Sequence, residues 1–138
     1  MMEYKELVQI AIAARENAYA PYSHFKVGAA LLAKDGRVFT GCNIECASYS
    51  PSNCAERTAL FKAVSEGVRE FSALAVLGWK EGEKCTGFAA PCGVCRQMLY
   101  EFCGTDMPVI MAKNEDELKV MTLGELLPEG FGPANLLG

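Results

Sequence analysis

The feature that most constrains the fold of this chain is the alternation of helical periodicity with short apolar runs. Over the first 19 residues apolar side chains recur at helical spacing, which predicts a helix from Met2 to about Tyr19. Pro21 prevents that helix from continuing. An almost continuous apolar run from Phe71 to Trp79 predicts a central strand that is buried on both faces.

The remaining segments extend the same alternation. Four further strands are expected at 25–33, 38–42, 108–113 and 116–121. An Asp35-Gly36 turn joins the first two, and the strand signal of the last one is weak. Further helices are expected at 54–66, 92–103 and 122–127. Residues 44–53 lack any period and predict a loop, in which Asn53 or Ser52 is expected to cap the following helix. The last eleven residues predict a tail rich in glycine and proline.

Helices that alternate with buried strands are typical of an α/β fold, in which helices cover both faces of a sheet. We therefore predict a three-layer α/β/α sandwich, and the antiparallel hairpin near its start makes the sheet mixed. The length of 138 residues, without repeats or linkers, predicts a single domain over residues 1–138. Hydrophobic residues make up 51% of the chain and charged residues only 22%, so we expect a partner subunit to cover part of the surface.

Charge and hydropathy exclude several classes of protein. Thirteen basic and seventeen acidic residues give a net charge of −4, whereas a domain that binds a nucleic-acid backbone is usually basic. The apolar runs are far shorter than the roughly 20 residues of a membrane span. The acidic start of the chain is unlike a signal peptide, and seven cysteines cannot all pair in disulfides. We therefore expect a cytoplasmic protein that binds neither nucleic acid nor membrane.

Two of the predicted helices begin on cysteine, and this is the strongest functional signal. Cys54-Ala55-Glu56 starts one helix, and Pro91-Cys92-Gly93-Val94-Cys95 starts the other. Helix N-termini favour thiolate over thiol, and three thiolates from two helix starts are suitable zinc ligands. A catalytic zinc site keeps one position open for water, whose pKa the metal lowers. Glu56 lies two residues from the first ligand, where its carboxylate can act as general acid and base.

The all-thiolate ligand set creates an excess of negative charge at the metal. The chain has only one histidine, which favours this set over one that contains imidazole. Because a metal ion with three thiolate ligands is a weaker Lewis acid, we expect a cationic neighbour to offset the charge. Two arginines are candidates: Arg57 follows Glu56, and Arg96 follows Cys95. Arg57 is predicted to donate charge-assisted hydrogen bonds to the thiolates.

These residues resemble the small cytidine deaminases, the homotetrameric form of the enzyme that acts on free nucleosides. The signature Cys-x-Glu…Pro-Cys-x-x-Cys is the three-cysteine variant of the zinc nucleobase deaminase motif. The resemblance covers nearly the whole chain and includes residues 20–23, 25–31, 41–45, 54–59, 91–97 and 126–131. It implies a mixed five-stranded sheet, one zinc ion per chain, and hydrolytic deamination of cytidine and 2′-deoxycytidine to the uridines and ammonia, in pyrimidine salvage.

The resemblance also implies roles for residues outside the zinc motif. Asn43 and Glu45 are similar to a pair that hydrogen-bonds the ribose 3′-hydroxyl, and Phe25 to an aromatic side chain that packs on the pyrimidine. The backbone of Ala55 would contact the base. Tyr49 and Phe131 are similar to residues that reach the active site of a neighbouring subunit, which implies a homotetramer with shared active sites.

Other interpretations of the cysteines remain open at this point. A structural zinc site would take Cys85 or Cys103 as a fourth ligand, but that arrangement leaves the spacing of Cys54 and Glu56 unexplained. A redox Cys-x-x-Cys pair would need a strand directly before it, which is absent from the predicted elements. An enzyme for another free aminopyrimidine nucleoside, or a zinc-binding scaffold without activity, are the alternative functions.

Overall fold

The computed structural model describes residues 2–138 of the chain. Its strands are β1 (Phe25–Ala33), β2 (Val38–Cys42), β3 (Phe71–Lys80), β4 (Pro108–Ala112) and β5 (Leu118–Thr122). Its helices are α1 (Tyr4–Arg15), α2 (Ala55–Ser65), α3 (Gly93–Phe102), α4 (Leu123–Leu126) and α5 (Pro133–Leu137). None of the helices in residues 2–138 has the length and apolar character needed to cross a bilayer.

The five strands form one mixed sheet in the order β2-β1-β3-β4-β5. The strand β3 pairs with β1 in the antiparallel direction and with β4 in the parallel direction, and the other two pairings are antiparallel. The parallel pair is joined through α3, because parallel neighbours require a crossover connection. The mixed five-stranded sheet expected from the sequence is therefore confirmed.

The two faces of the sheet carry separate apolar clusters, and each is covered by helix. Along β3 the side chains alternate, so that Ala73, Ala75 and Leu77 pack with α1 while Leu74 and Val76 face the other side. On that other side Leu60 of α2 and Leu99 of α3 are fully buried or nearly so. Helix on both faces of the sheet confirms the three-layer α/β/α sandwich.

Two glycines allow the helices to lie unusually close to the sheet. A Cβ atom on Gly28 of β1 would stand 2.0 Å from the carbonyl oxygen of Ala11, and one on Gly41 of β2 would stand 2.2 Å from that of Ala55. Neither position can accept a larger residue without moving a helix. Gly41 thereby fixes how closely the first turn of α2 approaches the sheet, and this turn carries part of the functional site.

The structure differs from the sequence predictions mainly at the ends of elements. Helix α1 ends at Arg15 instead of Tyr19, because the backbone N–H of Tyr19 donates to the carbonyl of Asn43, 3.0 Å away, and leaves the helix. The cap of α2 is Cys54 itself, and neither Asn53 nor Ser52. Part of the predicted C-terminal tail is the short helix α5, which has Pro133 in its first turn.

Candidate metal centre and active site

The N-terminal ends of α2 and α3 meet and bring three thiols together. Cys54 and Cys92 are the N-cap residues of the two helices, and Cys95 lies one turn into α3, where it is fully buried. The Sγ atoms of Cys54 and Cys92 are 3.6 Å apart, as are those of Cys92 and Cys95. The thiols therefore converge as the sequence predicts, although Cys54 and Cys92 are 38 residues apart in the chain.

This arrangement fits a zinc ion. All three Sγ atoms lie within 4.8 Å of one another, and tetrahedral zinc with bonds of about 2.3 Å separates its sulfur ligands by about 3.8 Å. Within residues 2–138 no fourth Cys, His, Asp or Glu joins this group. A site with three protein ligands leaves one position for water or substrate, as catalytic zinc sites do.

The two cysteines considered as a fourth structural ligand lie elsewhere. The thiol of Cys85 is placed 3.4 Å from the carbonyl oxygen of Gly87 and 3.7 Å from that of Gly78. Cys103 lies at the opposite end of α3, buried in the core. The geometry therefore does not support a four-cysteine structural site.

Of the two arginines considered in the sequence, only Arg57 faces the thiols. Its Nε donates to the Sγ of Cys95 at 3.4 Å, and its Nη2 donates to that of Cys54 at 3.5 Å. Arg96 instead donates to the carbonyl oxygens of Pro91 and Leu126, at 2.7 and 2.8 Å, and so ties the start of α3 to α4.

The thiols influence one another strongly. A hydrogen bond from Cys95, together with those from Arg57 and Cys92, lowers the pKa of Cys54 to about 5 despite its partial burial. The same contact with Cys54, followed by burial, raises the pKa of Cys95. Without metal the first negative charge is therefore favoured on Cys54, where the Nη2–H of Arg57 and the N-terminus of α2 stabilise it.

Glu56 occupies the first turn of α2 and lines the cavity beside the thiols. It is only 4% exposed, and burial raises the pKa of its carboxyl group to about 7. A carboxyl group with a pKa near neutrality can both accept and release a proton at physiological pH. The structure thus places a potential acid and base next to a potential metal site.

A cavity of about 280 Å³ opens in front of these groups. Its inner part is formed by the buried residues Ala55, Glu56 and Val76, and its wall also includes Cys54, Cys92 and the apolar residues Val27, Ala89 and Ala90. Its outer part is formed by Phe25, Asn43, Glu45, Ser52 and Asn53. The predicted residues Phe25, Asn43, Glu45 and Ala55 are therefore brought to the same cavity as the thiols and Glu56.

The polar side chains of the outer part are held by the backbone around them. Asn43 accepts a hydrogen bond from the N–H of Val27 and donates one to the carbonyl of Phe25, both at 2.8 Å. Glu45 accepts hydrogen bonds from the segment that precedes Phe25. The pKa of Glu45 is lowered, mainly by the hydrogen bond from the Ser23 side chain. Asn43 is thus fixed against β1, and Glu45 against the segment just before it.

Tyr49 and Phe131 do not line this cavity. Tyr49 is 71% exposed, and its ring stands edge-on to that of Tyr22 with the centroids 6.2 Å apart. Phe131 is 58% exposed, and its carbonyl oxygen accepts a hydrogen bond from Gln97 at 2.7 Å. Within a single chain these two aromatic side chains are therefore separate from the site.

The apolar walls of the cavity were not predicted from the sequence. Val27 shares a strand face with Phe25, so the period of two in β1 is a signal that could have found it. Ala89 and Ala90 immediately precede the Pro91-Cys92 motif, and only this proximity to a ligand marks them in the sequence.

The fold and the site together define a class of protein: α/β/α sandwiches with a metal site between two helix N-termini and a buried carboxyl group beside it. The chain belongs to the cytidine and deoxycytidylate deaminase family, since the model of that family's zinc-binding region matches residues 1–111. The three thiols of this region can hold a zinc ion. The resemblance inferred from the sequence is confirmed.

Individual relatives match this chain over almost their full length. The chain is 50% identical to the cytidine deaminase of Sporosarcina psychrophila over 135 residues, 98% of this chain and 96% of the relative. It superposes on the crystal structure of the cytidine deaminase from Burkholderia pseudomallei with a TM-score of 0.86 and 50% identity, covering 94% of this chain and all of the other. For the enzyme from Mycobacterium tuberculosis the TM-score is 0.81, with 38% identity and coverage of 96% and 100%.

Proposed function

We propose that this protein is a zinc-dependent cytidine deaminase, which hydrolyses cytidine and 2′-deoxycytidine to uridine and 2′-deoxyuridine with release of ammonia. The observation that carries the proposal is the buried carboxyl group of Glu56 beside three convergent thiols, at the inner end of a nucleoside-sized cavity. The cytidine deaminases with about half of their residues identical to this chain support the choice of substrate. The corresponding role is pyrimidine salvage.

Cys54, Cys92 and Cys95 would hold one zinc ion per chain. Bound zinc supplies Lewis acidity, which lowers the pKa of water and makes it a nucleophile near neutral pH. Glu56 accepts a proton as water attacks C4 of the base and delivers it to N3. The same carboxylate then takes the proton of the new hydroxyl group on C4 and passes it to the amino group, which leaves as ammonia while C4 becomes a carbonyl.

The other residues of the cavity would bind and orient the nucleoside. Phe25 packs on the pyrimidine ring, and the backbone of Ala55 at the start of α2 contacts the base. Asn43 and Glu45 hydrogen-bond the ribose 3′-hydroxyl, and the negative charge of Glu45 disfavours a 3′-phosphate. Arg57 reduces the negative charge of the ligand set through its two N–H···S contacts, which favours water activation.

We also propose a cytoplasmic homotetramer built from single-domain chains, in which subunits share active sites. Exposed aromatic residues support this assembly: Tyr22, Tyr49 and Phe131 are all about half exposed or more. In such a tetramer Tyr49 and Phe131 reach the cavity of a neighbour. Seven free cysteines suit the reducing cytoplasm.

The proposal is tested by the loss of the ultraviolet absorbance of cytidine when zinc-loaded protein is added. A Glu56→Ala variant should retain one zinc ion per chain and lose activity by about 10²-fold or more, since proton transfer in the transition state is lost. A Glu66→Ala variant, changed at the exposed C-terminal end of the same helix, should remain fully active.

Three results would contradict the proposal in different ways. No absorbance change across a panel of cytosine nucleosides would favour a zinc-binding scaffold. A change only with a modified aminopyrimidine nucleoside would shift the substrate within the same chemistry. Loss of zinc from the Glu56→Ala variant would identify Glu56 as a ligand and refute its role in proton transfer.

A further inference from the structure

The carboxylate of Glu45 accepts hydrogen bonds from two adjacent residues, Tyr22 and Ser23, and two of the three come from Ser23. Its Oε1 accepts hydrogen bonds from the backbone N–H groups of Tyr22 and Ser23, each at 3.1 Å. The hydroxyl of Ser23 donates to the other oxygen, Oε2. All three donors come from a segment more than 20 residues away in the sequence, just before β1.

These contacts leave Glu45 with limited capacity for a ligand. An ionised carboxylate offers about four acceptor positions, and three of them are filled by Tyr22 and Ser23. The position that remains is on Oε2, and Glu45 lines the outer part of the cavity. The carboxylate can therefore accept one further hydrogen bond from a hydroxyl group in the cavity without giving up any present contact.

The Ser23 hydroxyl also connects this carboxylate to the aromatic wall of the cavity. While its hydrogen is donated to Glu45, its oxygen accepts a hydrogen bond from the backbone N–H of Phe25 at 3.0 Å. The carbonyl of Phe25 is bound by the Asn43 amide. One hydroxyl group thus spans the proposed sugar-binding and base-binding parts of the cavity, and alanine at this position would remove both contacts.

We infer that Ser23 is a positioning residue for nucleoside binding, which holds Oε2 of Glu45 where it accepts a hydrogen bond from the sugar 3′-hydroxyl. This inference rests on the proposed function, because it takes a cytosine nucleoside as the ligand of the cavity. Ser23 itself makes no contact with the reacting atoms. Its removal should therefore weaken sugar recognition and leave the chemical step intact.

The test compares Ser23→Ala with wild type on two substrates, cytidine and 3′-deoxycytidine, which lacks the hydroxyl in question. The KM for cytidine should rise about tenfold, as expected when a hydrogen bond to a charged group is weakened, while kcat changes less than about twofold. The KM for 3′-deoxycytidine should rise much less, because only the contact with the N–H of Phe25 then matters. Ser65→Ala is the matched control, since it removes one side-chain hydrogen bond at the exposed end of α2.

Two further variants separate positioning from folding. Ser23→Thr keeps the hydroxyl at an exposed position and should restore the wild-type KM for cytidine. Ser23→Cys keeps the size of the side chain but has a weaker hydrogen-bond donor, so its KM for cytidine should lie between those of wild type and Ser23→Ala. If thermal unfolding shows that Ser23→Ala is unstable, Ser23→Cys takes its place in the test.

The outcomes distinguish this inference from the proposed function. An unchanged KM for cytidine in Ser23→Ala, or an equal rise for both substrates, overturns the role of Ser23 and leaves the deaminase activity standing. Absence of wild-type activity on cytidine overturns the proposed function and the role of Ser23 together.

Discussion

The two ends of α3 both carry cysteine, and the thiols there have opposite environments. At the N-terminal end Cys92 and Cys95 meet Cys54, whose pKa is lowered to about 5 by hydrogen bonds from Cys95 and Arg57. At the C-terminal end Cys103 lies in the apolar core beside Leu99 and Met107, and burial raises its pKa to about 12. Hydrogen-bond donors surround one group, and hydrocarbon surrounds the other.

This contrast shows that the chemistry of a cysteine in this molecule is set by the hydrogen-bond donors or the hydrocarbon around its sulfur. A thiol that is readily deprotonated can bind metal, whereas a thiol that keeps its proton behaves as a small apolar side chain. Counting cysteines in the sequence therefore says little about function until each one is assigned to an end of a helix.

The largest expected effect separates the two ends directly. Cys92→Ala removes one of three metal ligands, so the variant should lose its zinc. Its activity should fall below about a thousandth of wild type, because a metal ion contributes several kcal/mol of transition-state stabilisation. Cys103→Ala should keep both zinc and activity, at a cost of about 1 kcal/mol in unfolding free energy from lost packing. Zinc content by elemental analysis and the absorbance assay measure both. Zinc loss in Cys103→Ala with zinc retained in Cys92→Ala would reverse the comparison.

An intermediate effect is expected from the donors around the thiols. Arg57→Ala should retain zinc and the fold and lower kcat about tenfold, as loss of groups that support metal ligands commonly does. Arg69→Ala, an exposed arginine beyond the end of α2, is the control and should leave kcat unchanged. Wild-type kcat in a zinc-replete Arg57→Ala protein would show that the two N–H···S contacts do not tune the site.

The smallest effect concerns the buried thiol and its dependence on pH. In the unfolded chain a cysteine ionises near 9.0, whereas folded Cys103 keeps its proton to about 12. Because only the unfolded state releases this proton between those values, the folded wild type loses stability as pH rises through that window. The stability deficit of Cys103→Ala should therefore shrink by about 1 kcal/mol between pH 8 and pH 10. Denaturant unfolding at the two pH values measures it, and a constant deficit would contradict the raised pKa.

Elements defined by local sequence were predicted closely. The hairpin of β1 and β2 has the predicted bounds, because the Asp35-Gly36 turn and the apolar runs are local signals. The helix predicted at 122–127 is α4, which Thr122 and Glu125 start with reciprocal hydrogen bonds. Errors arose where distant contacts decide. The apolar period of α1 continues to Ala18, but the contact between Tyr19 and Asn43 ends the helix earlier.

The site divides in the same way. Cys54, Glu56, Cys92 and Cys95 were predictable because each lies in a short motif at a helix start. Arg57 was also predicted to donate to the thiolates, and its N–H groups lie against Cys95 and Cys54. The contacts of Arg96, which also adjoins a motif, were not predictable, since only helix packing turns its side chain toward Pro91 and Leu126. The contacts between Ser23 and Glu45 were not predicted, because they join two loops that no local pattern relates.

The position of β3 between the two cysteine motifs has a consequence for the order of folding. Before the crossover from β3 through α3 to β4 has closed, Cys54 is separated from the other two thiols, and the chain offers only the Cys92 and Cys95 pair. Parallel strand pairing is a late, non-local step. A site with all three thiols therefore exists only once α3 has docked on the sheet, and metal bound there stabilises that docked arrangement.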